Sequence, residues 1–143
     1  MASWAEFEEA APELARDVRE LLDTHVHKTI ATLRRDGSPR ISGTESRIEE
    51  GELRIGSMRD ALKALDLRRD PRFALHSGSD DPPGWSADAK LAGLAEEIST
   101  DAGSHTFRLD LREVSTVGVN ADRSALVIRV WTPEGGVRTI ERA

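Results

Sequence analysis

Three residues suited to holding an anion, Ser57, Arg59 and Lys63, fall close together at the head of the stretch "SMRDALKALDLRRDPRFALHS". Ser57 and Asp60 have the spacing of a helix N-terminal cap. A helix start presents free backbone N–H groups and about half a positive charge, which together favour phosphate. With a helix over 58–69, Arg59 and Lys63 lie in its first two turns. Ser57, Arg59, Lys63 and the backbone then form a candidate phosphate pocket. Arg68, Arg69 and Arg72 sit at the far end, where cations suit a helix C-terminus and read as structural. A plainer reading fits the same residues: a capped amphipathic helix with Ala61, Leu62 and Leu65 turned inward.

Composition narrows the chemistry. The 143 residues carry no cysteine and no tyrosine, so thiolate nucleophiles, disulfides, cysteine-ligated metals and phenolic acids are all excluded. Redox chemistry would have to come from a bound cofactor. A net charge of -6 argues against nucleic acid as the main partner, because that role needs a broad basic face. No apolar run approaches the roughly 20 residues of a membrane span. The acidic start "MASWAEFEEAAPELARDV" has no export-signal pattern. A cytoplasmic protein with neither nucleic-acid nor membrane partner is expected.

Other constellations each admit two uses. His25 and His27 are spaced as two metal ligands, yet no third ligand accompanies them, so no metal site is expected. His76 can face a cofactor ring or be structural. Trp85, in "DDPPGWS", is either a lid or a staple for its own loop. Asp80 and Asp81 are adjacent and point apart, so they make no acid–base pair. Arg34 and Arg35 can draw in an anionic cofactor tail or simply solvate a turn.

The elements that must position these groups are mostly strands. Ser3 with Glu6 is a capping box opening a first helix, and Pro12 suits the first turn of a second one carrying Leu14, Val18, Leu21 and Leu22 on one face. "HKTIATLRR" and "RISGTESRI" flank an Asp36-Gly37 hairpin, with Pro39 at the head of the returning strand. Glu50-Gly51 turns the chain into "ELRIGS". A strand over 72–76 follows the helix, and 78–86 is loop by its turn residues. "DAKLAGLAEEIST" fits helix by composition and strand by alternation broken at Gly93. "HTFRLDLREVSTVGV" and a closing hairpin of "SALVIRVWT" and "GVRTIER" complete a mainly β chain. Six or seven antiparallel strands with turn-length links predict a barrel. The division expected is a helical segment over 1–26 packed on a barrel over 27–143, within a single domain.

The "ATLRRDGSPR" hairpin, the strand ending "LRIGS" and the "LRRDPRFAL" passage occur in the order that resembles the pyridoxamine 5'-phosphate oxidase-like superfamily. The tail "VWTPEGGVRTIER" is similar to the last hairpin of its smaller members. The resemblance covers residues 29–142. It implies a split β-barrel that binds FMN or the deazaflavin coenzyme F420, and a homodimer with two cofactor sites at its interface. By position it implies that Lys63 and Ser57 contact the cofactor phosphate, that Arg40 lies near the flavin, and that Ser42, Gly43 and Thr44 pass beside the ring. Trp131 would reach the cofactor of the partner subunit. Many members carry a basic residue where this chain has Leu62, and Arg59 is the candidate to replace it. The oxidase's residues for substrate phosphate have no match in "GGVRTIERA", so pyridoxamine phosphate is not the expected substrate. The resemblance implies a flavin- or deazaflavin-dependent oxidoreductase, with a non-catalytic flavin-binding or carrier protein as the alternative.

Overall fold

A computed structural model describes residues 1–101 and 103–143. Among them run α1 (Trp4–Ala10), α2 (Pro12–Thr24), β1 (His27–Leu33), β2 (Pro39–Glu49) and β3 (Glu52–Met58). They are followed by α3 (Leu62–Arg69), β4 (Arg72–His76), β5 (Ala87–Asp101), β6 (Ser104–Val119), β7 (Leu126–Thr132) and β8 (Gly136–Arg142). No helix among the described residues is long and apolar enough to cross a membrane.

All neighbouring strands are antiparallel, in the order β3-β2-β1-β4-β5-β6-β7-β8. A further pairing of β3 with β6 closes the first six into a barrel and leaves β7 and β8 as an extension. Closure covers the β3 edge that an open sheet would expose, and β8 remains the outer strand. The split-barrel expectation is met. Alternate residues fill the interior: Ile30, Leu53, Ile55, Phe73, Leu75, Leu91, Phe107, Leu109 and Leu111 are all buried. The hairpins follow the turn chemistry, with Gly37 at φ 85° and Glu50 and Gly51 at φ 53° and 75°.

The N-terminal helices are fastened to the barrel wall. Ala2 exchanges two backbone hydrogen bonds with Leu111, at 2.9 and 2.7 Å. The Ser3–Glu6 capping box is present, and Pro12 opens α2. Phe7 packs on Trp4 and on Trp131, with ring centroids 5.2 and 4.8 Å apart.

Three expectations change. Residues 87–101 are strand throughout, and the register shift beside Gly93 absorbs what looked like a break in the alternation. The helix starts at Leu62 instead of Met58. Ser57 and Met58 remain in the β3–β6 ladder opposite His105 and Ser104, and a run of backbone bonds outweighs one side-chain cap. Ala61 therefore holds the N-cap position without a side-chain bond, and Ser57 Oγ turns to the Met58 carbonyl at 3.3 Å. Finally, Leu62 and Leu65 face out, 57% and 38% exposed, while Ala64, Asp66 and Leu67 face in. Asp66 is anchored to the barrel, and its bonds set the rotation of the helix.

Gly93 is where β5 has no room for a side chain, because a Cβ there would fall on the Asp110 carbonyl of β6. We expect Gly93→Ala to destabilise the chain by more than the ~1–3 kcal/mol of ordinary overpacking, measured as the shift in urea midpoint. Gly37→Asn, at a turn with nothing near the built Cβ, should cost much less.

Candidate functional site

β2 pairs with β1 over 39–45 but with β3 only from Ser46 to Glu49. β3 pairs with β6 on its other edge from Leu53 to Met58, so Gly56, Ser57 and Met58 stay with β6 after the pairing with β2 has ended. The opening is a cleft of about 470 Å³, within the range of small-molecule sites, and its lining includes Gly43, Thr44, Ser57 and Lys63. The edge of β2 that faces away from β1 has no strand partner here. Lys63, from the first turn of α3, reaches it and donates from Nζ to the Gly43 carbonyl at 2.8 Å.

The ammonium has no carboxylate partner among the described residues. Burial pushes its pKa below the ordinary lysine value. A half-buried cation satisfied by one carbonyl keeps two N–H donors and most of its charge for an incoming anion. Nothing lies within 4 Å of a Cβ built on Gly43, so a flat group can approach the β2 backbone. Hydroxyls from Thr44 and Ser57, both buried, flank the split; each makes a long contact to a backbone carbonyl, at 3.4 and 3.3 Å, and can turn to an incoming anion instead. His27 and Glu45 sit at the rim, 3.7 Å apart and open to water, with Arg47 beside them. This set fits a phosphate-bearing ligand with a flat body.

Four of the eight residues named from sequence therefore meet in one place: Gly43, Thr44, Ser57 and Lys63. Ser42 lies on the same strand but outside the cleft lining. Arg40 lines another cleft and donates from Nε to Asp66 at 2.7 Å. Arg59 lines a third depression with Asp60, Arg68 and His105, away from Lys63. Trp131 is 3% exposed and packed on Phe7. Its indole packs into this chain's core, where Phe7 of α1 covers it.

Trp85 and His76 lie elsewhere. Trp85 donates from Nε1 to Asp88 at 3.0 Å, and Arg123 holds its carbonyl, so the ring staples its loop. His76 lines an outer-wall depression with Ala31 and Ile41, apart from the split. Among the described residues no group of three or more potential ligands could hold a metal.

Two clusters had no signal in the sequence. Asp66 is buried and accepts from Arg40, from Thr32 Oγ1 at 2.8 Å and from Arg69 at 2.9 Å. Burial raises its pKa, but these hydrogen bonds outweigh burial and hold the carboxyl below the usual range. Buried His105 accepts the Asp60 N–H at Nε2, 3.2 Å, which assigns its proton to Nδ1, facing Glu97 at 2.7 Å. Arg68 in turn holds Glu97. Apart from Arg69, three residues after Asp66, and Glu97, eight before His105, the partners in these clusters are separated by tens of residues, and local pattern carries no trace of them.

No protein-family model matches the chain, and no curated protein matches it. Solved structures do. PhzG from Burkholderia lata, solved in complex with tetrahydrophenazine-1-carboxylic acid, superposes with a TM-score of 0.71 at 11% identity over 95% of each chain. A pyridoxamine 5'-phosphate oxidase-related, FMN-binding protein from Nostoc punctiforme gives 0.66 at 13% identity over 97% of each chain. A heme-binding protein from Mycobacterium smegmatis gives 0.61 at 17%, covering 91% of this chain and 88% of that one. The likeness is one of fold: the chain shares a split β-barrel with these proteins.

The depressed pKa of Asp66 means that its contribution to stability is complete above the ordinary carboxyl range, near 3.9, and is lost as pH falls through the lower folded value. Asp66→Asn should cost about 1.5–3 kcal/mol at neutral pH. The difference from wild type should shrink in acid, as read by urea denaturation across pH.

Proposed function

We propose that this split barrel binds a phosphate-bearing flavin-type cofactor, FMN or the deazaflavin coenzyme F420, in the opening between β2 and β3, and acts as an oxidoreductase on a small organic substrate. The observation that carries this reading is the Lys63 ammonium, half-buried, bonded to one carbonyl and facing a cleft of suitable size. Lys63 would hold the phosphoryl group as a point charge, with Thr44 and Ser57 hydroxyls donating beside it. Gly43 would leave room for the ring against the backbone. When bound, such a ring supplies hydride transfer. The chain supplies position and electrostatics, and with the rim groups His27 and Glu45 open to water, protons can exchange with solvent.

A second reading, binding without turnover as a carrier, is favoured by the same rim: the cleft lining offers no buried acid or base. Reduced cofactor consumed with added acceptors supports the enzyme. Tight binding with no consumption supports the carrier.

The cofactor reading is tested by parallel titration with FMN and F420, followed by ring fluorescence. Lys63→Ala should weaken binding by about tenfold or more, as loss of a charge-assisted bond does; unchanged affinity would remove Lys63 from the site. Affinity should also decline with rising pH earlier than an ordinary lysine, near 10.4, would allow, because burial lowers the pKa of Lys63.

Homodimerisation is part of the proposal. Ile41 is 73% exposed on the outer barrel wall, beside Ala31, Ala74 and Ala92, and a second copy would cover this apolar face. Light scattering should give twice the chain mass, and Ile41→Glu should halve it.

A further inference from the structure

A cleft larger than the split, about 820 Å³, lies between the exposed side of α3 and the β1–β2 hairpin. Five arginines line it against two carboxylates, in a chain whose net charge is -6. Arg68 is neutralised by Glu97 on its far side. The other four are not. Arg40 and Arg69 share the single carboxylate of Asp66. Arg40 uses only its Nε for this, so both its terminal nitrogens lack a partner among the described residues. Arg69 uses only Nη2, for Asp66 and the Leu33 carbonyl. On the hairpin, Arg34 makes a long 3.4 Å contact to the Pro39 carbonyl, and Arg35 makes no hydrogen bond or ion pair among the described residues.

This is more than a charged surface. Asp66 is buried and tied also to Thr32, so two guanidinium groups are fixed in place with their remaining donors free. A planar guanidinium with both ends open matches the two oxygens of a carboxylate or phosphate. The floor beside them is apolar: Leu62 and Leu65, which the rotation of α3 turns outward. Exposed leucines next to fixed arginines suit a ligand with a charged head and an apolar body.

We propose that this cleft is a second binding site, separate from the split, for a small organic dianion: a phosphate monoester or dicarboxylate carrying an apolar group. Arg40 and Arg69 take the anionic head, Leu62 and Leu65 take the apolar body, and Arg34 and Arg35 close over it from the hairpin. The site stands on residues that the cofactor reading does not need, Arg40 apart, and does not depend on that reading.

The test is calorimetric titration of the intact chain with phenyl phosphate, phthalate and inorganic phosphate. Saturable binding of phenyl phosphate or phthalate at millimolar concentration or below is expected, and the tighter of the two identifies the head group. Inorganic phosphate should bind more weakly, and Leu62→Ser should narrow that gap. Arg40→Gln should weaken binding by about tenfold or more. Since that change also touches Asp66, Arg35→Ala serves as the variant that disturbs no other side chain; it should weaken binding several-fold with the melting temperature unchanged. Lys63→Ala should leave binding of these probes intact. The inference is overturned by absence of saturable binding to both organic probes, by inorganic phosphate binding as tightly as they do, by indifference to Arg35→Ala, or by loss of binding in Lys63→Ala, which would place the probe in the split.

Discussion

One buried carboxylate organises the half of the molecule where ligands would bind. Asp66 accepts from Thr32 of β1, Arg40 of β2 and Arg69 of its own helix. A charge taken out of water is tolerated only when it is paired and fully hydrogen-bonded, so these partners constrain one another. α3 can sit on the barrel in one rotation only. That rotation carries Lys63 to Gly43 and turns Leu62 and Leu65 to solvent. Both clefts described above are consequences of how one short helix is pinned.

The second constraint is closure. Six strands close a barrel because β3 pairs with β6 on one edge while pairing with β2 on the other, and the part of β2 before Ser46 has no strand partner on the edge away from β1 among the described residues. Backbone groups there need another donor or acceptor, and Lys63 supplies one. A ligand able to offer hydrogen bonds and a negative charge would supply the rest. The split is thus a place where the fold itself leaves polar groups to be satisfied.

Much of this was legible in the residues. Alternation with turn chemistry at Asp36-Gly37 and Glu50-Gly51 marks the strands, and Ser3, Glu6 and Pro12 mark the helices, because these signals are local. Lys63 and Gly43 were found through motif order. Ser57 was assigned to the right place for the wrong reason: its cap signal was genuine in spacing but lost to the β3–β6 ladder. Leu62 and Leu65 misled because an amphipathic pattern takes no account of a buried Asp66. Arg59 is grouped with Lys63 by proximity in sequence and Arg40 by the family resemblance, whereas in the fold the three line different depressions. Trp131 could be read only with knowledge that α1 folds back over β7. The strand over 87–101 was ambiguous because its bulge interrupts the period that identifies a strand.

The β7–β8 hairpin continues the sheet beyond the closed barrel, and β8, with every residue exposed, is its outermost strand. An uncovered strand of this kind is a template on which further chains can polymerise. Arg138, Glu141 and Arg142 decorate it with charge of both signs, which must stay hydrated and so opposes stacking of sheet upon sheet. These charges thereby weigh against open-ended growth of the molecule into filaments.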